Sequence, residues 1–191
     1  EPAAAYSLRS FDADADPNVV NVRRSSDNAT SDFTASEVSD GTVTSWVGAG
    51  NDGHVTTWYD QGGTNHATQA TASNQPKIVD GGTLVTEGGQ AALDFDGTND
   101  YLQLTSNVFA DRLEVGIVNH LEEDASKYQR LFNLSNGTDD DFMAVKANNE
   151  QLLLRTRTSQ AGNTSKQFGS VINNHNLLYV TSTLSTDSYT A

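Results

Sequence analysis

An antiparallel all-β sandwich is the fold class this sequence predicts, and three observations predict it. Short runs of β-branched and aromatic residues alternate with polar ones, as in Val20-Asn-Val-Arg23 and Leu113-Glu-Val115. Turns rich in Gly, Asn and Asp punctuate these runs at the spacing of a sandwich or barrel. The apolar fraction is only 36% and mean hydropathy is −0.52, which suits sheets that bury one face. Trp46, Trp58 and the regular apolar runs argue against disorder.

Taken in order, the chain opens with a polar turn or loop through Asp12-Ala-Asp-Ala-Asp-Pro-Asn18. Alternation predicts a strand over Val19–Arg24, and Ser25 to Asp32 reads as turn-rich. A short helix is expected near Asp40–Val47, with Ser39 as N-cap and Gly48 just past its end. Gly41 and the β-branched Thr42, Val43 and Thr44 oppose it. Val55-Thr-Thr-Trp-Tyr59 has firm strand composition and stops at Asp60-Gln-Gly-Gly. Lys77–Val79 and Leu84–Val85 read as short strands. Further strands are predicted at Ala91–Phe95, Tyr101–Leu104, Leu113–His120, Arg130–Leu134, Phe142–Lys146, Gln151–Arg157, Gln167–Ile172 and Leu177–Leu184. No internal repeat of fixed period is visible. The expected division is an N-terminal layer over 1–85 and a sandwich over 86–191. The layer would pack through Val20, Val22, Trp46, Val55 and one of Trp58 and Tyr59. Closing strands are missing after Leu184, so the sandwich is expected to be trimmed or completed by a neighbouring chain through that edge.

The formal charge is −14, from 25 acidic and 11 basic residues. Such a surface repels phosphate backbones, which argues against nucleic-acid binding. No cysteine occurs, so thiol chemistry is excluded. No apolar stretch reaches the length that spans a bilayer, about 18 residues. The start at Glu1-Pro-Ala-Ala, lacking Met and signal peptide, suggests a processed product or a piece of something longer. The acidic, Asn/Ser/Thr-rich surface reads as extracellular, on a cell or virion surface.

Two groups of motifs carry a resemblance. Ala5-Tyr-Ser-Leu-Arg9, Val20-Asn-Val-Arg-Arg-Ser-Ser-Asp-Asn28, Thr57-Trp-Tyr-Asp-Gln61, His66-Ala-Thr-Gln-Ala70 and Asn74-Gln-Pro-Lys-Ile78 form the first. They resemble the N-terminal part of α-L-arabinofuranosidase B catalytic domains and related bacterial and phage surface proteins. The second, Ala92-Leu-Asp-Phe-Asp-Gly-Thr-Asn-Asp-Tyr-Leu102 with Arg130-Leu-Phe-Asn-Leu134, is similar to laminin-G-like, concanavalin A-type sandwiches. The resemblance implies a jelly roll and marks fold more than activity. The turn Tyr59-Asp-Gln-Gly-Gly-Thr-Asn65 is shorter than in the arabinofuranosidases. Their vicinal cysteine pair is also absent, so no catalytic residue is carried over.

Glycoside hydrolysis needs two carboxyl groups facing each other, roughly 5–9.5 Å apart. Asp94, Asp96, Glu114, Glu122, Glu123 and Glu150 are candidates by count only, and no Glu-x-Asp-x-x-Glu strand occurs. Asp12, Asp14 and Asp16 form a spacing that could offer carboxylates to calcium. An EF-hand is excluded, because Pro17 and Arg23 stand where Gly and Glu are required. Asp94, Asp96 and Asp100, or Asp139-Asp-Asp141, are alternative calcium ligands. His54, His66, His120 and His175 lack metal-ligand spacing and read as separate surface or edge groups. Neither a phosphate-binding Gly-rich loop nor a Gly-x-Ser-x-Gly elbow is present. Four Asn-x-Ser/Thr sequons, at Asn28, Asn133, Asn136 and Asn163, are no more than chance yields.

Sugar recognition combines aromatic faces with Asn, Asp and Gln. Trp58-Tyr59-Asp60 and Tyr101 beside Asn99 have that composition. The expected function is a carbohydrate-binding or adhesion module with a polysaccharide or glycan as partner. Open alternatives are a structural decoration unit forming homo-oligomers, and a glycoside hydrolase on arabinose-containing polymers.

Overall fold

A computed structural model describes residues 4–104, 112–120, 129–135, 141–146, 151–158, 162–170 and 175–183. Its class is all-β and antiparallel. The chain forms two compact units, Glu1–Ala110 and Asp111–Ala191.

The first unit contains β1 (Asn18–Arg24), β2 (Thr30–Thr34), α1 (Ala35–Ser39), α2 (Thr42–Val47), β3 (Gly53–Trp58), β4 (Ala67–Thr68), β5 (Lys77–Asp80), β6 (Thr83–Leu84), β7 (Thr86–Glu87), β8 (Gln90–Ala91) and β9 (Gln103–Leu104). The order β2-β1-β3-β4-β9 forms the main sheet, β5 also pairs with β3, and β6 with β5. A separate hairpin joins β7 to β8.

Val20, Val22 and Val55 point inward as alternation predicts, and all are fully buried. Val19 is buried too, although it adjoins Val20. The register against β2 skips between Asn18 and Val20, and this bulge turns consecutive residues to one side. Phe33, Val38, Val43, Val47, Ile78 and Val79 complete the core. Trp46 is only half-buried, with its ring edge-on to Phe33 and the Arg24 guanidinium 4.7 Å from its centroid.

Three local expectations need correction. Residues 30–34, within or beside the expected turn, form β2; it buries only Phe33 and depends on pairing with β1 rather than on apolar alternation. The helix before Gly48 exists, but Gly41 in the left-handed region is its N-cap, and Ser39 ends the preceding α1. The strand at Ala91–Phe95 shrinks to β8, because Ala92 turns back to bond Val85 and Asp94 bridges Lys77.

The second unit contains β10 (Arg112–His120), β11 (Gln129–Ser135), β12 (Asp141–Lys146), β13 (Gln151–Thr158), β14 (Gly162–Ser170) and β15 (His175–Thr183). Five of the six match predicted strands to within three residues at each end, whereas β14 begins at Gly162, five residues before the predicted strand at Gln167–Ile172, and ends at Ser170. β11-β12-β13-β14 is an antiparallel meander, and β10 pairs with β15. Leu184, Glu122, Glu123, Asp124, Asp139, Asp140 and Glu150 lie outside the described residues. Among the described residues no helix is long and apolar enough to cross a membrane.

Candidate functional site

The chain between β8 and β9 makes a loop whose rigidity comes from its own side chains. Asp96 Oδ1 accepts the backbone N–H groups of Thr98, Asn99 and Asp100 at 2.8, 3.0 and 3.3 Å. Gly97 takes φ of 66°, the left-handed turn that Asp-Gly favours. Asp100 Oδ2 accepts the Asp96 N–H at 3.1 Å, closing the turn. Burial pushes the Asp100 carboxyl above the ordinary range, aided by the Asp96 charge and opposed by the Asp96 N–H, His54 and Lys77.

A second set of bonds fixes this loop to the 3-10 turn at Ala72–Asn74. Asn99 Nδ2 donates to Ser73 O and Asn74 Oδ1, both at 2.9 Å. Tyr101 N donates to Asn74 O at 3.1 Å, and Gln69 Nε2 donates to Tyr101 O at 3.1 Å. On this frame two aromatic rings remain open to solvent, Phe95 at 43% and Tyr101 at 49% exposure. Sequence reasoning singled out Tyr101 and Asn99 but missed Phe95, which sits one residue before the Asp-Gly turn.

The residues after β3 sit differently. Trp58 is half-buried, its ring 5.7 Å from that of Tyr6, and its indole N–H is buried with no hydrogen-bond partner. Tyr59 donates its hydroxyl to Asp32 Oδ1 at 2.7 Å and meets the His66 ring edge-on. Burial first, then the bond to Asp32, pushes the Tyr59 hydroxyl up to about 12. The Asp60 carboxylate accepts N–H groups of Ala5, Gly62 and Asn65 at 2.8, 2.9 and 3.1 Å. Burial raises its pKa, but those donors and His66 outweigh burial and hold it below the ordinary range. Gln61 continues the pattern, donating to Ser7 O and Arg9 O and accepting from Phe11 N. Asp60 and Gln61 thus fasten residues 5–11 to the sheet.

In the acidic segment, Asp12 Oδ1 accepts the Asp14 N–H at 3.0 Å. Asp16 instead accepts the backbone N–H and the hydroxyl of Ser36, at the start of α1. Among the described residues no three His or acidic side chains converge to hold a metal ion. Asp94 is placed by its backbone bridge to Lys77, whose ammonium is paired with Asp52 at 3.0 Å and Asp80 at 2.6 Å.

No family model, no curated protein and no solved structure matches this chain.

Proposed function

We propose that the chain is a carbohydrate-binding module of an extracellular or virion-surface protein, with the loop Phe95–Tyr101 as its binding edge. The observation that carries this reading is the pair of exposed rings on a loop held by its own hydrogen bonds. Aromatic faces stack on sugar C–H groups, and a frame already ordered loses little entropy on binding. Large exposed aromatics on a rigid loop are the informative kind of surface apolar group. The finer fold assigned with this reading is a concanavalin A-like jelly roll, consistent with the antiparallel ladders of both units.

The test is binding to immobilised polysaccharides and a glycan array by the whole chain. Phe95→Ala and Tyr101→Ala should each weaken binding at least tenfold, with melting unchanged because both rings are exposed. Undiminished binding by both variants would remove the loop from the reading, and no binding to any glycan would remove the reading itself.

A second reading, structural assembly without a ligand, is favoured by Val118, 78% exposed on β10, and by the two-stranded extent of β10-β15 among the described residues. Light scattering across a concentration series separates the two, since assembly requires a mass that rises with concentration and falls in Val118→Lys.

A further inference from the structure

Arg23 follows the buried Val22 on β1 and so lies on the outer face of the sheet, half-buried. Its register partners are Thr30 of β2 and His54 of β3, so no carboxylate faces it across either ladder. Three neutral acceptors hold the guanidinium. Nε donates to Gln75 Oε1 at 2.8 Å, Nη1 to Asn28 Oδ1 at 2.9 Å and Nη2 to Ala72 O at 3.3 Å. A guanidinium has five N–H donors, so one on each terminal nitrogen remains. Arg24 and Lys77 differ, being paired with Asp27, and with Asp52 and Asp80. The same contacts tie Arg23 to the loop that carries Tyr101. Gln75 Nε2 donates to Gln69 O at 2.9 Å, and Gln69 Nε2 donates to Tyr101 O at 3.1 Å. Both glutamines are buried, at 4% and 5% exposure, so these bonds form one chain through the interior. The turn at Ala72–Asn74 joins the two from outside, Ala72 O taking the guanidinium and Asn74 O the Tyr101 N–H. A cation and an exposed ring thus border one short turn in fixed relation before any ligand arrives.

We propose that Arg23 is the acid-recognising point of the glycan edge, and that the ligand is a carboxylated polysaccharide containing uronic acid units. This rests on the carbohydrate-binding reading and names its ligand class. The planar fork takes the two oxygens of one sugar carboxylate, while the Tyr101 ring stacks on C–H groups of a neighbouring unit. The loop's own carboxyls oppose an anion weakly. Asp96 Oδ1 accepts three backbone N–H groups, and burial favours the neutral form of Asp100. The overall charge of −14 repels polyanions at long range, so recognition depends on contact. At about 0.15 M salt the Debye length is about 8 Å, which screens the distant carboxylates and spares a contact pair.

The experiment uses the whole chain at that salt and measures affinity for polygalacturonate, alginate and hyaluronan, each beside its methyl ester. At least one acid should bind tenfold or more tightly than its own ester. Arg23→Gln should erase that preference and leave binding to the ester unchanged, whereas Tyr101→Ala should weaken both forms at least tenfold. Arg23→Lys keeps the charge without the fork and should retain only part of the preference, which serves where Arg23→Gln does not fold. A second measurement needs no variant: the Arg23 Nε–H resonance should shift with the acid and stay in place with the ester. Esters, neutral glycans or dextran sulfate bound as tightly as the acids, or full preference kept in both Arg23 variants, would overturn the inference and leave the carbohydrate reading standing. No binding to any glycan would overturn both.

Discussion

Asp60 shows how far a side chain's role can lie from its composition. Beside two aromatics it reads as a partner for sugar hydroxyls, yet its oxygens are taken by three backbone N–H groups, one of them 55 positions away. No local pattern encodes a donor that distant. Asp60→Asn keeps one acceptor oxygen but turns an NH2 group toward an N–H, so one donor is left unsatisfied. We expect a cost of about 1–3 kcal/mol, the range for a buried donor deprived of its partner. Urea unfolding would read the loss, and faster hydrogen exchange at Asn65, the single donor to Oδ2, would locate it. Gly82 is another residue whose meaning is three-dimensional. Its φ is 87°, and an added Cβ would sit 2.8 Å from Ala49 Cα and 3.0 Å from Gly48 O. Gly50, with φ of 75°, has open space around it. Gly50→Ala should therefore cost only the conformational penalty, about 1–2 kcal/mol. Gly82→Ala should cost clearly more, since backbone must move as well; equal melting temperatures for the two would refute this.

Elements were legible where burial alternates and obscure where pairing or capping decides. β1, β3, β5, β10 and β15 carry β-branched residues that mark them as strands, whereas β14 has only Thr164, too little to mark its first five residues. β2 buries a single residue and is held by its neighbour, which no window of its own sequence reveals. α1 is short and weakly apolar, but Thr34-Ala-Ser-Glu37 carries the signal that would have found it. Thr34 Oγ1 accepts the Glu37 N–H at 3.3 Å, and Glu37 Oε2 accepts the Thr34 N–H at 2.9 Å. Thr34→Ala should lower stability by about 1 kcal/mol, the usual effect of removing a cap. Glu37→Gln should be nearly neutral, because an amide oxygen still accepts that bond, whereas Glu37→Ala should not. A thermal melt series of the three variants checks the order. Of the candidate site, Tyr101 and Asn99 were legible from composition. The bonds from Asn99 to Ser73 and Asn74 span 25 or more positions and were not.

At the scale of the molecule, acidity and burial together set a pH window for the first unit. Five of its carboxyls are held below the ordinary aspartate range. The causes are bonds from Ser36 to Asp16, Arg24 to Asp27, Thr42 to Asp40 and Gly81 to Asp52, and for Asp60 the N–H donors that outweigh burial. A carboxyl depressed in the folded state stabilises in full above its unfolded value, about 3.9, and loses that contribution as pH falls through the folded value. Asp100, raised by burial, has the opposite sign but stands against five. On the alkaline side burial pushes Tyr6 and Tyr59 from 10.0 to about 12. A raised group stabilises in full below its unfolded value, so this contribution is intact to pH 10 and is lost through about pH 12. Lys77, raised by its bonds to Asp80 and Asp52, acts in the same direction. Stability of this unit should therefore be flat between about pH 5 and 9 and decline on both sides. Trp46 and Trp58, the chain's 2 tryptophans, both lie in Glu1–Ala110, so their fluorescence reports this unit alone. Urea midpoints read by that fluorescence should fall below pH 4 and above pH 10. A midpoint that rises between pH 5 and 3 would mean that relief of self-repulsion among 25 acidic side chains outweighs the bonds those five carboxyls make.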